Sequence, residues 1–183
     1  MYHSGNELLD PYILFEKGQL QPGMHAADFG CGRTGHIIFP AATVVGPQGV
    51  LFAVDILKDA LHAIEKRANM EGLTNIHPVW SNVEYVGKTA IPPGSLDVVF
   101  VVNVLSHSDN RHGMLEEAKR LLKKKGRIIV ADWTSQGLSI APKGERFVDF
   151  ENIKEWGRLH GFAVQAEFPV GKYHRGVALY RNI

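Results

Sequence analysis

Apolar positions along the chain follow two different periods, and their alternation predicts an α/β protein. Apolar residues three or four positions apart predict helices, whereas short apolar runs bounded by turn residues predict strands. This pattern predicts an amphipathic opening segment over 8–17 and helices over 34–45, 57–70, 111–124 and 150–160. It predicts strands over 26–29, 49–55, 76–80, 96–102, 127–132, 162–170 and 177–180.

The order of these elements predicts how the strands pair. Strands that alternate with helices form a parallel sheet with helices on both faces. The run 96–102 is apolar except for Asp97, which is typical of a central strand covered on both sides. Only a short turn separates the last two strands, so they must form an antiparallel hairpin. We therefore expect one antiparallel strand in an otherwise parallel sheet.

The composition limits the possible classes. A length of 183 residues suits one domain over 1–183, in which we expect the segment 1–20 to cover the site. Cys31 is the one cysteine, which excludes an intramolecular disulfide and an all-cysteine metal site, and we predict no metal. The net charge of +1 indicates no nucleic-acid partner and excludes none. Without a signal-like or membrane-spanning stretch, we expect a cytoplasmic protein.

A glycine-rich turn follows the first predicted strand. Gly30, Gly32 and Gly35 allow the chain to turn tightly and bring bare backbone close to a ligand. They also spell the G-x-G-x-x-G dinucleotide pattern. By itself this spacing is equally consistent with a tight turn that binds nothing.

Two acids near this turn narrow the choice of ligand. Asp55 ends the next strand, at the place where an acid can hold two ribose hydroxyls, although it could instead only cap the following helix. Asp28 stands two residues before Gly30, where a carboxylate can meet an ammonium group and would repel a pyrophosphate. Together with the terminal hairpin, Asp28 favours S-adenosylmethionine over a nicotinamide dinucleotide.

With these residues the chain resembles the class I S-adenosylmethionine-dependent methyltransferases. Within them it is similar to the ubiquinone and menaquinone biosynthesis methyltransferases and their small relatives. The resemblance runs from about Leu20 to Arg181. The matching stretches are 20–24, 28–35, 53–56, 93–99, 102–105 and 121–130.

The resemblance implies a fold and a cofactor site. The fold is a Rossmann-like three-layer sandwich with strand order 3-2-1-4-5-7-6, in which strand 7 is antiparallel. Asp28 would face the methionine amino group, Asp55 the ribose hydroxyls and Asn82 the adenine amino group. The full set of implied S-adenosylmethionine contacts is Asp28, Gly30, Gly32, Gly35, Asp55, Ile56 (or Leu57 for the adenine), Asn82 and Asn103. Thr34 and Asn82 depart from the family pattern, which usually has glycine and aspartate there.

Two histidines are candidates for the chemistry. Methyl transfer from a sulfonium needs mainly positioning and exclusion of water, and a base only for a weak nucleophile. Ligands of such sheets bind beyond the carboxyl ends of the strands. Segments 103–107, 133–147 and 171–174 reach that edge, so His107 and His174 are our candidate catalytic residues. Each could instead be a solvated loop histidine, and we place His36 in the first turn of a helix.

We expect a small-molecule acceptor, because other acceptor classes are disfavoured. The basic cluster at 119–127 is interpreted as a solvated helix end rather than a nucleic-acid surface. The segment 103–106 lacks the Asn-Pro-Pro-Tyr pattern of nucleobase or glutamine methylation. Two alternatives stay open: an NAD-dependent oxidoreductase, and a non-catalytic S-adenosylmethionine-binding module that needs a partner protein. The oligomeric state is also open.

Overall fold

The chain forms a layered α/β structure. The computed structural model describes residues 8–134, 139 and 141–182. Its strands are β1 (His25–Phe29), β2 (Val50–Asp55), β3 (Ile76–Trp80), β4 (Leu96–Val102), β5 (Leu122–Trp133), β6 (Phe162–Pro169) and β7 (His174–Arg181). Its helices are α1 (Pro11–Gly18), α2 (Ile38–Val45), α3 (Lys58–Met70), α4 (Arg111–Leu121) and α5 (Phe150–Leu159), with short 3-10 helices over Leu105–His107 and Gly144–Arg146.

The strands make one sheet in the order β3-β2-β1-β4-β5-β7-β6. Strands β1 to β5 pair in parallel, while β7 runs antiparallel to both β5 and β6. The expected fold class, strand order and antiparallel seventh strand are therefore confirmed. Parallel strands bring their carboxyl ends to a single edge, which is where the site must be sought.

Apolar side chains cover the sheet on both faces. Along β5, Ile129 and Ala131 join one cluster with α1, α2 and α3, and Ile128 and Val130 join the other with α4 and α5. Alternate residues of a strand point to opposite faces, so a strand this apolar must be covered on both sides. The result is the three-layer arrangement that the alternation of elements predicted.

Two helix boundaries differ from the sequence prediction. Helix α2 begins at Ile38 rather than at residue 34, because Gly35 has a left-handed φ of 58° that no helix accommodates. Helix α4 ends at Leu121 rather than at Lys124, because Leu122 pairs with Leu96 and starts β5. The prediction that the basic cluster at 119–127 ends a helix is therefore wrong for Lys123 and its two following lysines.

Other ends move by a few residues. Helix α1 begins at Pro11, capped by Asp10, rather than at residue 8. Strand β7 extends over His174–Arg181, beyond the predicted 177–180, because β5 and β6 pair with it on both sides. Residues 1–7 of the expected cover segment lie outside the described residues, as do 135–138 and 140 of the segment after β5. Within the described ranges, no helix is long and apolar enough to cross a membrane.

Candidate active site

A cavity of about 420 Å³ opens at the carboxyl edge of the sheet. The loops after β1, β2, β3 and β4 form its walls. Its lining consists of Gly30, Val54, Asp55, Ile56, Leu57, Ser81, Asn82, Val83, Glu84, Asn103, Val104, His107, Ser108, Asp109 and Met114. Six of the ten residues assigned from the sequence thus meet in one cavity, namely Gly30, Asp55, Ile56, Asn82, Asn103 and His107. Asp28, Gly32, Gly35 and His174 do not line it.

The glycine loop forms the floor at the end of β1. Gly30 and Gly32 have left-handed φ values of 72° and 62°, which other residues adopt only with strain. A Cβ atom at Gly30 would lie 2.8 Å from Val104 Cγ2, whereas a Cβ at Gly32 would meet no protein atom within 4 Å. Gly30 is therefore required for packing within the protein, while the open side of Gly32 leaves space for a ligand.

Asp55 holds the glycine loop and the start of α3 together. Its Oδ2 accepts a hydrogen bond from the Gly32 N–H and its Oδ1 one from the Leu57 N–H, each at 2.9 Å. Asp55 thus fixes the turn before α3 and also lines the cavity, and its contact with ribose hydroxyls stays a prediction. A carboxylate oxygen has more than one lone pair, so Asp55 can still accept from two ribose hydroxyls.

Asp28 is a buried acid without a counter-charge among the described residues. Its exposed fraction is 2%, and no described residue makes a hydrogen bond or an ion pair with its carboxyl group. Burial raises the pKa of Asp28 to about 8, and the negative charge of Asp55 adds to the rise. A cationic group placed beside Asp28 would relieve this electrostatic cost, which is what a ligand ammonium would do.

Asn103 and Ile56 supply polar and apolar contacts at opposite sides of the cavity. Asn103 has a left-handed φ of 53°, and its backbone N–H donates to the Ala131 carbonyl at 2.9 Å. Its buried Oδ1 has no partner among the described residues, which is rare for a buried polar atom. Ile56 and Leu57 are 52% and 62% exposed. They form an apolar surface on which a flat ring can lie.

His107 lies in the cavity wall and His174 outside it. His107 ends the 3-10 helix after β4 and is exposed. The neighbouring Ser106 N–H donates to Asp132 Oδ2 at 3.2 Å. Burial raises the pKa of Asp132, and hydrogen bonds from Trp133 and Ser106, with the nearby His107, oppose the rise. His107 is thus held at the cavity by a loop that a buried acid anchors.

His174 is buried rather than solvated. It is 3% exposed, stands opposite Trp133 in the β5–β7 pair, and its ring centroid is 4.2 Å from that indole. Neither ring nitrogen has a well-formed hydrogen bond with the described residues. Burial lowers the pKa of His174 to about 4, and the nearby Leu8 backbone opposes this only in part. The imidazole is therefore neutral at pH 7.

His36 is not in a helix, contrary to the sequence interpretation. It lies in the turn between Gly35 and α2, and its Nε2 is 2.7 Å from the Leu9 carbonyl oxygen. The segment before α1 is thus tied directly to the glycine loop. Among the described residues, no group of three histidine, cysteine or acidic side chains is arranged to hold a metal ion.

Several lining residues had no assigned role in the sequence analysis. Ser81, Val83 and Glu84 follow β3, and Ser108 and Asp109 follow β4. Their position directly after two parallel strands was the available signal, because all such segments reach the same edge. No periodic pattern marks them, since they belong to loops.

The family of the chain follows from a comparison with known proteins. A family model described as a methyltransferase domain matches residues 20–167. The chain belongs to this methyltransferase family. A solved structure of an S-adenosylmethionine-dependent methyltransferase from Aquifex aeolicus has the same fold, with a TM-score of 0.84 and 24% identity over 97% of this chain and 92% of that one.

Two curated relatives of the methyltransferase carry more specific names. Nocamycin O-methyltransferase of Saccharothrix syringae is 32% identical over 59% of this chain. The ubiquinone/menaquinone biosynthesis C-methyltransferase of Vibrio campbellii is 26% identical over 76% of this chain. The matches cover 37% and 52% of those relatives, so this chain aligns with about half of their length or less.

These findings confirm a class I methyltransferase whose cofactor is S-adenosylmethionine, with S-adenosylhomocysteine as its product, and they decide against the nicotinamide alternative. The site fits this cofactor on its own observations. In the part of the chain that the structure describes, it offers a buried carboxyl group at Asp28 without a cation beside it, an acceptor without a partner at Asn103, and free space over Gly32. That the protein holds no metal ion stays a prediction.

Proposed function

We propose that the methyltransferase transfers a methyl group from S-adenosylmethionine to a small-molecule acceptor. The observation that carries the proposal is the buried carboxyl group of Asp28 beside the glycine loop, which has no hydrogen-bond or ion-pair partner among the residues that the structure describes. A nicotinamide dinucleotide would bring a pyrophosphate to this place, and a second negative charge there is unfavourable. The methionine part of S-adenosylmethionine brings an ammonium group instead, which matches the carboxylate.

Each part of the cofactor has a proposed partner. Asp28 and Asn103 hold the methionine part, and the loop of Gly30, Gly32 and Gly35 lies beneath it. Asp55 accepts from the ribose hydroxyls. The adenine lies against Ile56, and Asn82, which lines the cavity, contacts its amino group. Its Oδ1 accepts from the Glu84 N–H at 3.0 Å and has a second lone pair for this contact.

Bound S-adenosylmethionine supplies an electrophilic methyl group, so the protein has to position the acceptor and exclude water. We assign His107 and His174 as alternative bases for an acceptor that must lose a proton. His107 borders the cavity, whereas His174 lies outside it, and neither of its ring nitrogens has a hydrogen-bond partner among the described residues. Burial lowers the pKa of His174 to about 4, which makes it a weak base, so His107 is the better placed of the two.

A small acceptor is supported by the names of the relatives and by the charges. The relatives are named for nocamycin, for aklanonic acid and for ubiquinone and menaquinone biosynthesis. In the basic cluster, Arg120 pairs with Glu117 and Lys123 pairs with Asp97. Because these two cations already pair with acids, they are poorly suited to bind the phosphates of a nucleic acid. The cytoplasmic location and the single-domain organisation stay predictions.

The test is transfer of label from methyl-labelled S-adenosylmethionine into a cell extract that is separated into small molecules, protein and RNA. We expect label in the small-molecule fraction with the wild-type protein and none with Asp28→Asn. Label in protein or RNA would contradict the acceptor class. A protein that binds S-adenosylhomocysteine but transfers nothing would instead support the partner-dependent module.

The same assay separates the two histidines. His107→Gln and His174→Gln are compared for label transfer and for affinity for S-adenosylhomocysteine. Loss of a general base lowers the rate by about 100-fold or more while the cofactor still binds. If neither change has this effect, the acceptor reacts without a protein base.

A further inference from the structure

A long loop without helix or strand forms one side of the cavity. Residues 81–95 connect β3 to β4, and 81–84 line the cavity. Loops of this length without secondary structure are uncommon inside a compact domain and are usually functional when ordered. A second wall is the segment 103–109 after β4, which carries His107. Neither wall is part of a helix long enough to keep its own position.

Glu84 joins these two walls. Its Oε1 accepts a hydrogen bond from the Ser108 hydroxyl at 2.6 Å and one from the Asp109 N–H at 3.0 Å. Its backbone carbonyl accepts from Asn110 Nδ2 at 3.0 Å. On its own side of the cavity, the Glu84 N–H donates to Asn82 Oδ1 at 3.0 Å. One residue therefore contacts the assigned adenine partner and the segment next to His107.

The beginning of α4 strengthens this junction. Asn110 caps the helix, because its Oδ1 accepts from the Gly113 N–H at 3.0 Å. A Cβ atom at Gly113 would collide with the Glu84 carbonyl oxygen and with Asn110 Nδ2. The loop can approach α4 this closely only because residue 113 is a glycine.

The same loop has a second anchor that lies away from the cavity. Glu117 of α4 is fully buried and accepts from the Gly87 N–H at 2.7 Å and from the Thr89 N–H at 3.0 Å. Arg120 Nε donates to the same carboxylate at 2.7 Å. This anchor keeps the middle of the loop on α4 when the contacts of Glu84 are removed.

We infer that Glu84 is a positioning residue, which holds Asn82 and the His107 segment at the separation that the cofactor needs. The inference rests on the proposed function, because the ligand of the cavity is S-adenosylmethionine or its product. Replacing the Glu84 side chain keeps the two backbone contacts, to Asn82 Oδ1 and from Asn110 Nδ2, but removes the hydrogen bonds from Ser108 and Asp109. The segment 103–109 is then held less firmly against the loop that carries Asn82. Cofactor affinity should then fall although the fold is retained.

The test compares Glu84→Ala, Glu84→Gln and Ser108→Ala in the full chain, with Glu71→Ala as the control. Glu71 is an exposed acid at the end of α3 whose partner is Arg67. Affinity for S-adenosylhomocysteine is measured by calorimetry, amide hydrogen exchange by NMR without ligand, and Tm by thermal unfolding. The exchange measurement needs no cofactor.

We expect Glu84→Ala to lower the affinity for S-adenosylhomocysteine by about tenfold, which is the effect expected from losing hydrogen bonds to a charged group. The Asp109 amide should exchange at least about tenfold faster, while Tm changes little. Glu84→Gln keeps an acceptor oxygen and should restore most of the affinity, and Glu71→Ala should behave as wild type. The double variant should lose less affinity than the sum of Ser108→Ala and Glu84→Ala, because the Ser108–Glu84 hydrogen bond is common to both changes, although Ser108 Oγ also accepts from the Asn110 N–H at 3.0 Å.

Two results would overturn the inference. One is an affinity of Glu84→Ala within about twofold of the wild type. The other is a general rise of exchange together with a large loss of Tm, which would make Glu84 a residue of the fold. If the wild-type chain does not bind S-adenosylhomocysteine, the proposed function fails. In that case an Asp109 amide that exchanges equally fast in wild type and Glu84→Ala overturns the positioning role as well.

Discussion

Asp28, the last residue but one of β1, and Asp55, the last residue of β2, lie on neighbouring parallel strands, and the charge of Asp55 adds to burial in raising the pKa of Asp28 to about 8. Their surroundings differ in a way that separates their roles. Asp55 accepts backbone hydrogen bonds at both oxygens, while Asp28 has no partner among the described residues. Asp55 therefore maintains the loop with or without a ligand, and Asp28 is left for a cation.

Replacing Asp28 by asparagine should stabilise the protein at alkaline pH. The pKa of Asp28 is about 8 in the fold and near its ordinary 3.8 in the unfolded chain. The stability that it contributes is therefore complete below about pH 4 and is lost as pH rises towards 8. Urea unfolding at pH 5 and pH 8.5 should show Asp28→Asn gaining about 1 kcal/mol or more relative to wild type at the higher pH. The control is Asp59→Asn, which changes an exposed acid in the same way and should show no such gain. If the free energy of unfolding depends on pH equally in both variants, burial of the Asp28 charge does not destabilise the protein.

His174 should give the opposite dependence on pH. Its pKa is about 4 in the fold against an ordinary value of 6.5. Its contribution to stability is thus present above pH 6.5 and is lost as pH falls towards 4. His174→Phe keeps a ring beside Trp133, so we expect a variant close to wild type at pH 7 and more stable than wild type at pH 4.5. The measurement is the free energy of unfolding at both pH values, and a variant without this difference would show that His174 is solvated.

Glu117→Gln should cost about 2–4 kcal/mol in the free energy of unfolding at pH 7, because it breaks a buried ion pair with Arg120. Burial alone would raise the pKa of Glu117, but Arg120 and the Gly87 and Thr89 amides lower it to about 2. The stability it contributes is therefore present above its ordinary 4.5 and is lost as pH falls towards 2. The control is Glu116→Gln on the same helix, whose half-buried carboxylate pairs with Lys119 and His160. Similar losses for both variants at pH 7 would contradict this role.

Gly32 and Gly72 allow the effect of backbone strain on stability to be distinguished from an effect on ligand affinity. Gly32 and Gly72 have φ values of 62° and 67°, and a Cβ at either would meet no protein atom within 4 Å. Alanine at each should therefore lower stability by a similar amount, about 1 kcal/mol, from left-handed strain. Only Gly32→Ala should also lower the affinity for S-adenosylhomocysteine, because the open side of Gly32 faces the proposed ligand. Equal affinity in the two variants would place the cofactor away from this loop.

Features that depend on local pattern could be predicted from the sequence. The hairpin and the positions of Asp28, Gly30 and Asp55 follow from periodicity and turn residues, whereas the strand order is implied by the family resemblance. The end of α4 could not be predicted in this way, because pairing of Leu122 with Leu96 outweighs the helical preference of the lysines that follow.

The contacts of Glu84 were missed for a different reason. Ser108 is 24 residues away in the chain, and a charged residue in a loop carries no periodic signal of its partner. The burial of His174 likewise depends on β5 and on the segment before α1, which meet it only in the folded protein.

The most direct test of the central claim is calorimetric titration of the wild type and of Asp28→Asn with S-adenosylhomocysteine, with NAD titrated in parallel. We expect the wild type to bind S-adenosylhomocysteine alone, and Asp28→Asn to bind it at least about 30-fold more weakly, as for other buried charge pairs that lose one partner. Wild-type affinity should rise between pH 6 and pH 8, because the ammonium group displaces the proton of Asp28. Unchanged affinity in Asp28→Asn, or binding of NAD in place of S-adenosylhomocysteine, would contradict the account.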